Sequence, residues 1–177
     1  MTFTDAIRRC FRKYVTFSGR APRPEYWYFI LFLFLGGIAT NILDGLLFGS
    51  GSVETAPGSV TAQSDGGPLY ALFSLATLLP MLAAGWRRMH DTGRSGLYLL
   101  YPIIVWVGIA GFAGMIGATD AALTGDFAAA FAGITGIIFA IAVIIAIFSP
   151  LIVIWWLTRP TQPGPNVYGP NPYEASS

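Results

Sequence analysis

His90, the only histidine in the chain, is followed directly by Asp91 and preceded by Arg87 and Arg88. An imidazole beside a carboxylate can move protons or ligate a metal, and clustered guanidinium groups can clamp a phosphate. These residues belong to the run Trp86-Arg87-Arg88-Met89-His90-Asp91-Thr92-Gly93-Arg94-Ser95-Gly96. Arg20, Arg23 and Glu25 form a second polar group near the N-terminus, and Asn166 stands near the C-terminus. For catalysis this is a thin set. Hydrolytic metal centres recruit several spaced His, Cys or carboxylate ligands, and no such spacing accompanies His90. The sequence therefore singles out no catalytic residue, no metal ligand and no cofactor motif. The one cysteine, Cys10, excludes an intramolecular disulfide.

A structural role accounts for most of the 86–96 run. If a helix continues to His90, then Arg87, Arg88 and His90 suit the negative end of its dipole, and Gly93 is placed to end it. Asp91 at the same end is unfavourable unless a cation or donor compensates it, so it is expected to face an arginine.

The elements that must position these groups are membrane helices. Hydrophobic residues make up 54% of the chain and charged residues 11%, whereas soluble domains carry about a quarter charged residues. Four stretches can cross a hydrocarbon core, at 26–48, 69–85, 97–118 and 127–157. Pro80 falls inside the second span, where neighbouring helices must satisfy the carbonyl it frees. Ser149-Pro150 marks an expected kink in the long fourth span. The Gly/Ser/Thr/Pro-rich segment 49–68 reads as a flexible loop with no fold of its own, carrying Glu54 and Asp65. Ahead of the first span, Phe3, Ile7, Cys10, Phe11 and Tyr14 recur at steps of three and four, with Arg8, Arg9, Arg12 and Lys13 on the other side. That pattern predicts an amphipathic helix lying on an anionic membrane surface. The segment before the first span does not read as a cleavable signal peptide.

The basic residues give the orientation. Arg8, Arg9, Arg12, Lys13, Arg20 and Arg23 precede the first span; Arg87, Arg88 and Arg94 lie between the second and third; Arg159 follows the fourth. The loops at 49–68 and 119–126 contain no Lys or Arg. The positive-inside rule then places both termini in the cytoplasm. The expected fold class is an all-α membrane protein: a four-transmembrane-helix bundle, N-in/C-in, with an N-terminal amphipathic interfacial helix. Its parts are residues 1–25 (helix and turn), 26–157 (membrane domain) and 158–177 (cytoplasmic tail). Small residues at Ala110, Gly114 and Ala118, with Gly108, Gly111 and Gly117 nearby, and at Ala128, Ala132, Gly136 and Ala140, suit close packing of the last two spans or a homo-oligomer seam.

Three blocks resemble the YhaH-like family of small bacterial inner-membrane proteins, domain of unknown function eight-zero-five. The block Phe17-Ser18-Gly19-Arg20-Ala21-Pro22-Arg23-Pro24-Glu25-Tyr26-Trp27 is similar to the family's Gly-Arg…Arg…Glu-Tyr-Trp lead into the first helix. The 86–96 run is similar to its Arg-Arg-X-His-Asp-X-Gly-Arg-Ser-Gly loop, and Asn166-Val167-Tyr168-Gly169-Pro170-Asn171-Pro172 to its C-terminal tail. Val167 and Asn171 stand where the family pattern carries a basic and an acidic residue. The resemblance implies a four-span inner-membrane protein and brings no biochemical activity with it.

Because the three blocks fall on one side of the bilayer, Arg20, Arg23, Glu25, Arg87, Arg88, His90, Asp91, Arg94 and Asn166 are expected to form one polar cluster, with Glu25 and Asp91 each accepting from an arginine. The leading functional reading is a structural or interaction protein of the inner membrane whose cluster engages anionic phospholipid headgroups or a partner protein. The alternatives are a membrane-embedded enzyme acting on a phosphorylated substrate and a small oligomeric transporter or channel. Asn41 and Asp44 are the only polar candidates for an intramembrane pathway. Nucleic-acid binding is disfavoured, since the cations hug the membrane and no separate soluble domain exists.

Overall fold

The computed structural model describes residues 1–49, 52–56, 59–63, 66–126, 128 and 131–174. Among the described residues the regular structure is helical apart from one short hairpin, with irregular segments at 13–22 and 159–174. Helix α1 is Phe3–Arg12, α2 is Arg23–Phe48, β1 is Ser52–Ala56, β2 is Ser59–Gln63 and α3 is Pro68–Asp91. A 3₁₀ turn at Gly96–Leu100 leads into α4 (Tyr101–Met115), followed by α5 (Ala118–Thr124) and α6 (Gly133–Thr158). Four helical stretches are long and apolar enough to span a bilayer: Arg23–Phe48, Pro68–Asp91, Gly96–Met115 and Gly133–Thr158. The expected start of the fourth span at Phe127 lies outside the described residues, as does Asp65.

Local chemistry explains the helix ends. Thr2 and Asp5 form a capping box on α1: the Thr2 hydroxyl accepts from Asp5 N–H at 3.2 Å, and Asp5 Oδ2 accepts from Thr2 N–H at 3.2 Å. Helix α2 begins at Arg23-Pro24, with Glu25 in its first turn, where proline and negative charge both suit the terminus. Helix α3 ends as Gly93, at φ +76°, turns the chain and donates its N–H to the His90 carbonyl at 3.0 Å. Helix α3 therefore continues through His90 to Asp91, the course on which Arg87, Arg88 and His90 stand at its C-terminal end.

Both helix-interior prolines have their freed carbonyls satisfied. Pro80 cannot donate to Ala76 O, four residues back, and the Tyr14 hydroxyl donates to that oxygen instead at 2.5 Å. Pro150 leaves Ala146 O free in the same way, and the Ser149 hydroxyl takes it at 2.9 Å. Helix α6 runs unbroken through the expected kink position.

The helices pair as α2 with α3 and α4 with α6, and α3 also touches α6. Helix α1 turns its apolar stripe onto α2 and α3, burying Ala6 and Cys10. Phe11 meets the edges of Phe29 and Phe32, and Phe3 meets Tyr28. These aromatic contacts explain why the apolar stripe of α1 turns toward protein. Small aliphatic and aromatic groups, including Cys10, Tyr26, Phe29, Ala84, Met89, Val153 and Leu157, form the main core beneath the polar end.

Two further differences from the sequence reading stand out. Segment 49–68 carries an antiparallel hairpin, β1 on β2, in the register Ser52↔Gln63 to Ala56↔Ser59. Val53, Thr55, Val60 and Thr61 are β-branched, a type favoured in strands, and the surrounding Gly, Ser and Pro masked that signal. Close packing of α4 and α6 uses Ala113 and Ala118 against Phe139. A β-carbon at Gly108, Gly111 or Gly114 would meet nothing within 4 Å, so that glycine face stands open in the monomer.

Opposite the polar end, the α2–α3 pair is closed by Asp44. Its carboxylate is fully buried and accepts from Leu69 N–H at 2.9 Å and Tyr70 N–H at 2.7 Å, capping α3 from a neighbouring helix. A β-carbon on Gly67 would lie 2.4 Å from Asp44 Cγ, so this close approach requires glycine.

Candidate functional site

The end of the bundle that gathers the α3 C-terminus, the 13–22 turn and the 159–174 tail holds the polar residues singled out by type. Two carboxylates organise it. Asp91, fully buried, receives Arg20 Nε at 3.0 Å on Oδ1, and Arg88 Nη1 at 2.5 Å and the Thr161 hydroxyl at 2.7 Å on Oδ2. Glu25, also buried, receives Arg87 Nη1 at 2.5 Å on Oε1 and the looser Arg9 Nη1 at 3.5 Å on Oε2. Each carboxylate thus faces two arginines, one of them fully buried. Such pairs are costly to desolvate and costly to break, so they fix the relative positions of the segments that carry them.

Backbone carbonyls complete the arginine contacts. Arg20 donates through Nη1 to Gly164 O at 2.8 Å and through Nη2 to Gln162 O at 2.5 Å, which draws the tail over the cluster. Arg88 Nε donates to Leu157 O at 3.0 Å, and its Nη2 to Arg159 O. Arg23 Nε reaches the same Arg159 carbonyl at 2.9 Å. These oxygens lie at the C-terminal end of α6, where guanidinium groups also complement the helix dipole. The last carbonyls of α3 are taken in turn: Ala21 N–H donates to Arg87 O and Gln162 N–H to Asp91 O, each at 3.0 Å. Arg87 Nη2, although buried, has no partner among the described residues.

His90 is held rather than poised. Its ring stacks on Tyr168, with centroids 3.8 Å apart and planes 5° apart, and Nδ1 lies 3.0 Å from Gly19 O. Asn166 Nδ2 donates to His90 O at 3.0 Å, while its Oδ1 accepts from Tyr168 N–H at 2.9 Å, a short turn that sets Tyr168 over the imidazole. Arg94 stands apart from the carboxylates, with its guanidinium 5.2 Å from the Trp156 ring centroid. The nine residues thus share one end of the molecule, but Arg23 and Arg94 touch neither Glu25 nor Asp91. Asn171, where the family pattern has an acidic residue, is buried and donates to Glu174 Oε1 at 2.7 Å.

Arg9, Thr161, Gln162 and Tyr168 were not in the expected set. Arg9 falls on the basic side of the expected membrane-surface helix, and carbonyl acceptors such as Gln162 O carry no mark of residue type. Tyr168 does lie within the tail block, so its position was signalled although its partner was not. Among the described residues no group of three or more His, Cys, Asp or Glu side chains is arranged to hold a metal. Electrostatics at the rim follow from burial. Lys13 is held below its ordinary pKa by desolvation and then by the nearby charge of Arg87, and Cys10 is pushed up to about 12 by burial and by Glu25.

The sequence pattern of the family described as protein of unknown function (DUF805) matches residues 14–170. The inner membrane protein YhaI of Escherichia coli K12 is 37% identical over 97 residues, which cover 55% of this chain and 70% of that protein. The inner membrane protein YhaH of the same strain is 35% identical over 106 residues, covering 58% of this chain and 78% of that protein. No solved structure matches the chain. The matched stretch contains both carboxylates, all their arginine partners except Arg9, and the Asn166 turn, and with four membrane-spanning helices around them the chain belongs to the DUF805 family of membrane proteins.

Proposed function

We propose that this protein is a structural and interaction component of the bacterial inner membrane, with both termini in the cytoplasm, whose polar end binds anionic phospholipid headgroups. The observation that carries this reading is an imbalance of charge at that end. Both buried carboxylates are already occupied by arginines, while Arg8 and Arg12 project from α1 as exposed cations and Lys13 has no ion pair among the described residues. All ten Lys and Arg residues lie on the sequence segments that meet at this end, which supports the cytoplasmic assignment through the positive-inside rule. Each near-surface cation contributes about 1 kcal/mol of attraction to an anionic leaflet. In this reading the buried Arg–carboxylate pairs do not bind lipid themselves. They lock α1, the turn and the tail so that the outward cations keep a fixed arrangement.

The transporter alternative loses its best residue, since both oxygens of Asp44 are committed to capping α3. The lipid reading is tested by extracting the protein with its surrounding lipid in styrene–maleic acid particles. Phosphatidylglycerol is expected to be enriched over the bulk membrane, and the enrichment to fall when Arg8 and Arg12 are both replaced by Gln. A lipid profile equal to bulk and insensitive to those changes would remove the proposal. Orientation is read from C-terminal fusions: a fluorescent green-fluorescent-protein fusion and an inactive alkaline phosphatase fusion are expected, and the reverse pair overturns it.

A further inference from the structure

A cavity of about 300 Å³ lies between the last turn of α1, the Gly19 turn and the tail. Arg9, Lys13 and Arg20 line it together with Gly19, Tyr168, Gly169 and two prolines, and no lining residue is acidic. Lys13 is half-buried, and its side chain makes no hydrogen bond or ion pair among the described residues. Arg9 has one contact there, the 3.5 Å approach to Glu25, and its side chain remains 40% exposed. The hydroxyl of Tyr168 is unpartnered among the described residues, its ring position being fixed by the stack on His90. Gly19 and Gly169 carry no side chain into the space, and a β-carbon at either would meet nothing within 4 Å.

The electrostatic environment favours a multivalent anion. Arg9, Lys13, Arg20, Arg87 and Arg88 gather near the carboxylates of Glu25 and Asp91, with Glu174 on the tail beside Gly164, and Arg87 Nη2 has no partner among the described residues. Burial first, and then the nearby charge of Arg87, hold Lys13 below its ordinary pKa, and an anion in the cavity would offset both. A carboxylate offers two oxygens in one plane. A phosphate group offers three or four in a tetrahedron, which suits Arg9 and Lys13 of α1 together with the Tyr168 hydroxyl of the tail, while the Arg20 donors are already committed to Asp91 and the tail carbonyls.

We infer that this cavity is a binding site for a phosphate group, held by Arg9 and Lys13 with the Tyr168 hydroxyl as a third donor and Arg20 as a fixed charge in its wall. The group belongs either to a phospholipid headgroup or to free phosphate. The inference deepens the reading of this end as anion-facing and rests on it in that respect, but it assigns the binding to a built cavity instead of to a diffuse basic surface.

The test uses the full chain purified in a neutral detergent, titrated calorimetrically with inorganic phosphate at constant ionic strength. In parallel, nanodiscs of phosphatidylcholine with and without phosphatidylglycerol are analysed by native mass spectrometry for retained lipid. Lys13→Gln is the deciding variant because the Lys13 side chain makes no hydrogen bond or ion pair among the described residues; Lys13→Arg is its charge-retaining control, and Arg159→Gln, an exposed cation resting on Trp155 outside the cavity, controls for surface charge. If free phosphate is the ligand, it binds the wild type in detergent, Lys13→Gln weakens binding by about tenfold or more, and Lys13→Arg restores it. If the source is a headgroup, phosphatidylglycerol is retained by the wild type and lost in Lys13→Gln but not in Arg159→Gln. Indifference of both arms to Lys13→Gln overturns the site. Phosphatidylglycerol retention that depends on Arg8 and Arg12 but not on Lys13 overturns the cavity and leaves the surface reading standing. Phosphate binding that depends on Lys13, in a protein whose membrane lipid profile equals bulk, supports the cavity and removes the lipid reading.

Discussion

Arg20 and Asp91 meet through a single 3.0 Å contact, guanidinium Nε to carboxylate Oδ1, with both side chains buried and 71 positions of sequence between them. The same carboxylate holds Arg88 and Thr161, so one side chain ties together the turn before α2, the end of α3 and the tail. Asp91→Ala would strand two buried guanidinium groups. A loss of about 3–5 kcal/mol is expected, read as a collapse of folded protein in fluorescence-detected size exclusion of a fluorescent fusion. Asp91→Asn should fare little better, because it restores the shape without the charge.

His90→Ala is expected to be far milder. It removes the stack on Tyr168 and the contact to Gly19 O, leaves both carboxylate centres intact, and should cost about 1 kcal/mol. Its signature is local: faster limited proteolysis within 160–174, with little change in melting temperature. A loss as large as that of Asp91→Ala would show that the imidazole has a part in the buried charge network.

Tyr14→Phe deletes one oxygen and leaves Ala76 O, the carbonyl that Pro80 exposes, without its donor. The expected cost is about 1–3 kcal/mol in detergent melts. In the double variant Tyr14→Phe/Pro80→Ala the helix recovers its own hydrogen bond, so the effect of Tyr14→Phe should shrink. Equal effects with and without Pro80 would disprove the compensation.

Gly67→Ala should be among the most damaging single-methyl changes in the chain. The added carbon would lie 2.4 Å from Asp44 Cγ and would push the carboxylate off the two amides it caps. Pairing it with Asp44→Gly, which removes Cγ and also the Cβ that would lie 2.6 Å from the added carbon, should relieve the clash while keeping the lost cap, so the double variant melts above Gly67→Ala alone.

Cys10 gives a probe that needs no substitution. Its thiol is buried, with a pKa pushed from 9.0 up to about 12 by burial and by Glu25. At neutral pH its thiolate fraction is about a thousandfold below that of an ordinary cysteine, since each pKa unit is a factor of ten. Maleimide labelling should be very slow in the folded protein and rapid after sodium dodecyl sulfate denaturation. Fast labelling of native protein would mean that α1 undocks.

Much of this site was legible because charge in a membrane chain is scarce. Glu25 and Asp91 stood among arginines on one side of the bilayer, and the low dielectric there leaves carboxylates few ways to be satisfied. What stayed hidden depended on shape. The acceptors Gln162 O, Gly164 O, Leu157 O and Arg159 O are backbone atoms that every residue possesses, so no residue type announces them. Helical periodicity divides α1 into an apolar and a basic side and puts Arg9 on the basic one, but it cannot show that Glu25 reaches the edge of that side. The β1–β2 hairpin was obscured for a related reason: five-residue strands depend on pairing with each other, which a composition rich in Gly and Ser conceals.

The tie from Arg20 to the carbonyls of Gln162 and Gly164 also sets a timetable. Arg20 leaves the ribosome 142 residues ahead of Gln162 and 144 ahead of Gly164, while Tyr14 must wait for Ala76, 62 residues on, to enter the membrane. The polar end therefore cannot close before residues 162–164 have emerged. Until then the arginines that will be buried lack their acceptors, and the arrival of that segment is the event that seals them in.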